Sequence, residues 1–345
     1  MTSPSPPPGP SPSSATGTPV GSPILRELQL ESTIGGIGVE TTDRTIPVIS
    51  LAGFDQRRDD ITDQLWAAAT DVGFFQLADH GVPAELVDRA FAAAADFFAL
   101  PESVKARHPW RRELNAGWES RSQVRPSTGL ADQKESYQVT GPNMEGLWPG
   151  GDVLPGFRST MLEIEAAAWR VAMDVLSCFA DRIGLERDFF ARAHDPEGEG
   201  YQSTVRLLHY FPMGGDDVAE GRWRAGAHTD YDCLTLLFQR AGQSGLQVCP
   251  WDDAASGRWT SVEPHEHLIT CNIGDMLMRW SDDQLRSTLH RVRGPGQGEW
   301  AGSRYSLAFF AQANKPALIE SPTGRFEPIT AADFLQQRIA ANFAR

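Results

Sequence analysis

The chain has 345 residues with a formal net charge of -14, 41% hydrophobic and 22% charged residues. That is enough for one large domain with a sizeable core, and the acidic balance argues against a phosphate-backbone partner. No apolar run approaches the roughly 20 residues of a membrane span, and no N-terminal basic-then-apolar leader is present, so neither a membrane nor a secretory route is expected.

Residues 1–22 are almost entirely Pro, Ser, Gly, Thr and Ala. They cannot bury enough apolar surface to offset chain entropy, so disorder is expected there. Residues 23–44 form a mixed lead-in, and the folded body is expected from Thr45. A short strand follows over Ile46–Leu51, then a helix over Asp59–Val72 with Ile61, Leu65, Trp66 and Ala69 at helical spacing and Gly73 ending it. Phe74–Leu77 reads as a strand. Pro83 opens a helix to Phe98. A long helix is expected over Thr160–Ile183, with Thr160 and Glu163 as a capping box and Gly184 as its stop.

After Tyr201 the pattern changes to short runs rich in Val, Leu, Ile, Thr and Phe, punctuated by Gly, Asp and Pro. Strands are expected over 204–211, 226–230, 234–239, 246–248, 259–262, 268–271, 276–280, 287–292 and 305–311, the spacing of a sandwich or barrel. A last helix over Ala331–Phe343 is capped by Thr330. The organisation is thus 1–44 disordered segment and lead-in, then one α+β domain over 45–345: a mainly helical region 45–200, a strand-rich core 201–313 and a C-terminal helical segment 314–345.

The four cysteines, Cys178, Cys233, Cys249 and Cys271, form no C-x-x-C pair and read as buried thiols of a cytoplasmic protein. His265-Glu266-His267 follows Pro264 and reads as an exposed turn. No G-x-S-x-G elbow suggests Ser-His-Asp hydrolysis. The chemistry concentrates in His228-Thr229-Asp230, His290 and Arg304-Tyr305-Ser306. On a strand, His228 and Asp230 would share a face. With His290 they make a two-histidine, one-carboxylate set suited to a ferrous ion that keeps positions open for other ligands. Arg304 and Ser306, two apart on an apolar strand, would share a face, and a buried guanidinium there needs an anion. Each of these residues alone is more often structural.

In order and spacing, several further segments complete a pattern: Ile46-Pro47-Val48-Ile49, Gly73-Phe74-Phe75, His80-Gly81-Val82-Pro83, Asp132-Gln133-Lys134-Glu135-Ser136-Tyr137, Leu207-Leu208-His209-Tyr210, Gly245-Leu246-Gln247-Val248 and Asn272-Ile273-Gly274-Asp275. With the His, Asp, Arg and Ser above, the chain from about Thr45 to Ala313 resembles the isopenicillin N synthase-like superfamily of Fe(II)/2-oxoglutarate-dependent oxygenases. The resemblance implies a double-stranded β-helix, or jelly roll, with flanking N-terminal and C-terminal helices. It implies Fe(II) held by His228, Asp230 and His290, with no catalytic side chain needed beyond these ligands. It also implies 2-oxoglutarate as co-substrate at Arg304, Ser306 and Tyr210, and O2 as oxidant. Plant members often carry Asn two residues before that Tyr; here Leu208 stands there and that hydrogen bond is lost. The substrate is expected to be a small molecule, met by residues within 115–140, by Arg121 and Arg125, and by Phe238, Phe309 and Phe310 as walls. A monomer or weak homo-oligomer is expected. Three other readings use the same residues: an oxidase that takes all electrons from its substrate and holds a substrate carboxylate on Arg304, an ethylene-forming relative, and a non-enzymatic metal-binding jelly roll.

Overall fold

A computed structural model of the protein describes residues 33–35, 39–41, 44–124, 129–219 and 222–343. Residues 1–22, expected to be disordered, lie outside them. Among the described residues, the strands are β1 (Val39–Thr41), β2 (Val48–Ser50), β3 (Phe74–Ala78), β4 (Gly117–Ser120), β5 (Lys134–Val139), β6 (Thr204–Tyr210), β7 (Ala225–His228), β8 (Leu234–Gln239), β9 (Leu246–Cys249), β10 (Arg258–Ser261), β11 (Ile269–Ile273), β12 (Leu289–Val292), β13 (Arg304–Ala311), β14 (Leu318–Ile319) and β15 (Ile329–Thr330). The helices that matter most here are α1 (Arg58–Asp71), α2 (Ala84–Ala99), α3 (Phe157–Arg182), α4 (Asp275–Trp280) and α5 (Ala331–Phe343).

The strands build an eight-stranded sheet, β2-β3-β11-β8-β13-β6-β5-β4, and a five-stranded sheet, β1-β10-β9-β12-β7. Side chains alternate across each strand, so each sheet has two distinct faces. One face of the large sheet carries Phe75, Leu77, Val205, Leu207, Leu236, Phe238, Ile269, Leu307 and Phe309 into a core with α1, α2 and α3. The other face meets the small sheet, where Phe74, Leu208, Tyr210 and Ala308 pack with Ala225, Leu246, Val248 and Val292. The result is the expected α+β jelly roll: two facing sheets, helices behind the larger one.

Several boundaries differ from expectation for identifiable reasons. The large sheet takes four strands from before residue 200, β2 and β3 at one edge and β5 and β4 at the other, so the region 45–200 supplies both edges of that sheet as well as the helical layer behind it. Among the described residues of the lead-in, β1 pairs in parallel with β10, Val39 against Arg258. The run 276–280, expected as a strand, lies in α4; a short apolar stretch does not distinguish a strand from a buried helical turn. Helix α3 begins at Phe157 after Gly156 in a left-handed conformation (φ 74), and no side-chain cap is made. Thr160 is therefore inside the helix, and Glu163 instead pairs with Arg89 at 2.6 Å. Thr330 does cap α5, its Oγ1 accepting from the Asp333 N–H at 3.1 Å. The 314–345 segment contains the β14–β15 hairpin before that helix. Gly73 is required where it stands: φ is 75, and a Cβ would lie 2.2 Å from the Arg286 carbonyl oxygen. All four cysteines are free and buried.

One buried acid couples its protonation to folding. Glu165 on α3 is 7% exposed and accepts from the Tyr201 hydroxyl at 3.1 Å. Burial pushes its carboxyl up to about 7 from 4.5. Glu165 therefore keeps a proton in the folded state that the unfolded chain releases, so its contribution to stability falls as pH rises from about 4.5 to about 7 and is level above that. Glu165→Gln keeps the acceptor for Tyr201 and removes the titration. It is expected to match the native protein at pH 4.5 and to exceed its unfolding free energy at pH 8 by on the order of a few kcal/mol. Urea melts at the two pH values check this; an equal difference at both would exclude the titration as its source.

Candidate metal centre

His228 is the last residue of β7, and His290 lies opposite it on β12, the two directly paired in register. Their imidazoles are 4.3 Å apart between centroids. The Nδ1 atoms are occupied locally, His228 with the Gly226 carbonyl at 2.8 Å and His290 with the Thr288 carbonyl at 3.1 Å. Those bonds place the proton on Nδ1 and leave both Nε2 atoms as lone-pair donors. The edge of the His290 ring meets Phe74 with centroids 5.3 Å apart, which limits its rotation.

Asp230 lies just beyond the end of β7 rather than on it, so it reaches the histidines from a loop. Its Oδ2 accepts from Thr235 Oγ1 at 2.6 Å and Asn272 Nδ2 at 2.8 Å. Its Oδ1 is turned to the histidines, 3.9 Å from His228 Nε2 and 3.7 Å from His290 Nε2. The three side chains thus bring one donor atom each to within 4.8 Å of one another. A nitrogen, nitrogen, oxygen set on one side of a buried point fits a non-haem ferrous ion with open positions.

The loop holding Asp230 is itself clamped. Asp275, the first residue of α4, donates its N–H to the Asp230 carbonyl at 2.8 Å. Its carboxylate accepts from Thr229 at 3.1 Å and from Ser287 at 2.5 Å and pairs with Arg338 of α5. On the other side, Asp132 Oδ1 accepts from the Gly226 N–H at 2.8 Å, tying β7 to the segment before β5. Asn272→Ala removes one of the two donors that fix the Asp230 rotamer. It is expected to weaken Fe(II) binding about 10–100-fold with the fold intact, read by metal titration under anaerobic conditions.

Arg304 and Ser306 share the inward face of β13. Arg304 is 1% exposed; its Nε donates to the Gln243 carbonyl at 2.9 Å, and its guanidinium lies 4.6 Å over the Tyr210 ring. Arg304 Nη1 and Ser306 Oγ are buried with no hydrogen-bond partner. Burial lowers the proton affinity of the guanidinium. Burial also opposes ionisation of Tyr210, but the Arg304 and Lys134 cations outweigh it and hold the phenol below its ordinary value. A buried cation and a hydroxyl with unused bonding capacity, side by side, fit an incoming carboxylate.

Two family models match the chain: the non-haem dioxygenase N-terminal region described from morphine synthesis, over residues 46–148, and the 2OG-Fe(II) oxygenase superfamily, over residues 202–313. The chain belongs to the 2OG-Fe(II) oxygenase superfamily. It is 33% identical over 305 residues to the 2-oxoglutarate-Fe(II) type oxidoreductase hxnY of Emericella nidulans, covering 79% of this oxygenase and 82% of that protein. It is 30% identical to the validamycin A dioxygenase of Streptomyces hygroscopicus subsp. limoneus, covering 79% and 78% of the two chains. Among solved structures it resembles a full-length Neurospora crassa protein in complex with alpha-KG, with a TM-score of 0.77, 29% identity and coverage of 89% and 99%. A second structure of that Neurospora protein, in complex with alpha-KG and thymine, has the same TM-score and covers 88% and 98%.

The substrate-side expectations divide. In the oxygenase, Phe310 packs with the interior between the sheets. Phe238 and Phe309 belong to the helix-side core, one residue out of phase with the Ser306 face, so they do not wall the site. Arg121 is exposed, stacked 4.0 Å over Phe211, and lines a small depression with Glu119, Lys134 and Ser136. Arg125 lies outside the described residues. His265, Glu266 and His267 are exposed as expected. His209 faces away from the metal centre, stacked on Tyr305 at 4.7 Å and bonded to Glu135 at 2.8 Å.

What sequence reasoning missed is a polar floor. Ser306 pairs with Leu208, Leu208 with Ser136 and Ser136 with Glu119, so these residues continue the inward face of the sheet. There Arg206 donates to Glu119 at 2.6 Å and Ser136 at 3.0 Å, and Gln138 donates to Glu119 at 3.2 Å. Burial opposes the Glu119 charge, but Arg206 and its hydrogen-bond donors hold the carboxyl below its ordinary value. The alternation Lys134, Ser136, Gln138 was the available signal, but polar residues on alternate positions more often mark a solvated face.

Proposed function

We propose that His228, Asp230 and His290 hold Fe(II), and that Arg304 and Ser306, beside Tyr210, hold the distal carboxylate of 2-oxoglutarate. The observation that carries this reading is the convergence of three donor atoms within 4.8 Å in the same interior where Arg304 Nη1 has no partner. The protein is a non-haem Fe(II)/2-oxoglutarate-dependent oxygenase acting on a small molecule. The bound metal supplies the redox chemistry that couples decarboxylation of 2-oxoglutarate to succinate and CO2 with two-electron oxidation of the substrate by O2.

The side chains do the positioning. Gly226 and Thr288 carbonyls keep the imidazoles turned with Nε2 inward, and Asn272 and Thr235 keep one Asp230 oxygen free. Arg304 and Ser306 would hold the far carboxylate of the co-substrate, and the three metal donors would leave positions open for its 2-oxo acid end. Phe74, Leu208, Ala308 and Val292 exclude water around it, which strengthens each charge interaction.

For the substrate, the Arg206–Glu119–Gln138 floor and the Phe310 ring support a polar small molecule with hydrogen-bonding groups and one apolar face, hydroxylated or otherwise oxidised by two electrons. We take the protein to act in the cytoplasm as a monomer or weak homo-oligomer; the charge of -14 argues against a nucleic-acid partner, and among the described residues no helix is long and apolar enough to cross a membrane. Fe(II)-dependent formation of succinate from 2-oxoglutarate tests the reading; no succinate from iron-loaded protein with active substrate would overturn it.

A further inference from the structure

Arg224 immediately precedes β7 and is 1% exposed. Its Nη2 donates to the carbonyl oxygens of Trp300 at 3.0 Å and Gly302 at 3.2 Å, and its Nε is buried with no hydrogen-bond partner. Among the described residues no carboxylate pairs with it. The Glu299 carboxylate, whose field reaches Arg224, is already taken by both Nη atoms of Arg293 at 2.6 and 2.7 Å.

Arg224 is tied to the pocket through Gly302, two residues before Arg304 on the chain entering β13. Two buried guanidiniums, neither matched by a carboxylate among the described residues, are thus held on one stretch of chain, close enough that the Arg304 charge and the Tyr210 phenol both act on Arg224. Burial and then the Arg304 charge push Arg224 down to about 10. Like charges buried together are costly unless an anion joins them.

We propose that Arg224 is a second cation for the distal carboxylate of 2-oxoglutarate, a specificity-determining residue whose charge adds to that of Arg304. The pocket then selects a 2-oxo acid with two carboxylates over one with a single carboxylate. This rests on the reading that Arg304 and Ser306 hold that carboxylate.

The test compares 2-oxoglutarate with 2-oxopentanoate, which has the same five carbons but a methyl in place of the distal carboxylate. Dissociation constants are measured anaerobically on full-length protein loaded with Fe(II), for the native chain, R224Q, R224K and R304M. Gln keeps a donor for the Trp300 and Gly302 carbonyls and loses the charge. The expected result for R224Q is 2-oxoglutarate binding weakened about tenfold, the effect of one partly screened charge, with 2-oxopentanoate unchanged. R224K, which keeps the charge, recovers most of the loss. Equal weakening of both acids by R224Q, or no change in either, would overturn the proposal and leave Arg224 a packing residue. If R304M also leaves the ratio of the two constants unchanged, the carboxylate reading itself fails. If R304M collapses the ratio and R224Q does not, only the role of Arg224 fails.

Discussion

Replacing His290 with alanine is expected to strip Fe(II) from the protein and abolish iron-dependent succinate formation while the fold survives. His290 sits in the register pair with His228, and its side chain contributes one of three donor atoms. Losing a donor leaves only two protein ligands, so the effect should exceed the 10–100-fold loss, roughly, that follows removal of an outer partner. The structural cost is smaller. The ring packs against Phe74 and bonds to the Thr288 carbonyl of its own chain segment, so about 1–2 kcal/mol of stability is at stake. Metal content after anaerobic loading, with a thermal melt beside it, measures both. Native iron stoichiometry in the variant would remove His290 from the ligand set.

Arg304→Met is expected to weaken 2-oxoglutarate binding about a hundredfold or more, the cost of removing one member of a buried charge pair. The same change should leave the thermal midpoint of the ligand-free protein unchanged or higher, because a buried cation with an unpartnered Nη1 is replaced by an apolar chain of similar length. The two signs together matter. A structural arginine would lower the midpoint and leave the co-substrate's affinity alone. Thermal melts with and without saturating 2-oxoglutarate read both, because a ligand that binds only the folded state stabilises it in proportion to its affinity.

The parts of this site that were legible in the chain share a property: each is a local pattern. His228-Thr229-Asp230, His290 and Arg304-Tyr305-Ser306 keep short, recognisable spacing, and the inward pairing of Arg304 with Ser306 follows from strand alternation alone. The same alternation puts Phe309, one residue from Ala308 and Phe310, on the helix side, so Phe309 and Phe310 cannot both wall the site. Phe238 needed the register of β8 against β13, where Gln239 lies opposite Ser306, and register between distant strands is not local. The polar floor was hidden for the same reason. Glu119 and Arg206 are 87 residues apart, and only the docking of β4 and β5 onto β6 makes them neighbours. Arg224 carried no motif at all. Its significance comes from burial beside Arg304, a tertiary fact. The helix α4 resembles a strand in sequence because Met276, Leu277 and Met278 are all buried, so no amphipathic period distinguishes the two.

Joint binding of 2-oxoglutarate by the iron site and the Arg304 pocket is measured most directly by an anaerobic titration of the Fe(II)-loaded protein with 2-oxoglutarate, followed by visible absorbance. Chelation through the 2-oxo acid should give a weak, saturable charge-transfer band that is lost in His290→Ala and displaced to higher concentration in Arg304→Met. Iron bound at full stoichiometry with no such band at any concentration of 2-oxoglutarate would contradict joint binding and favour an oxidase that draws all of its electrons from the substrate.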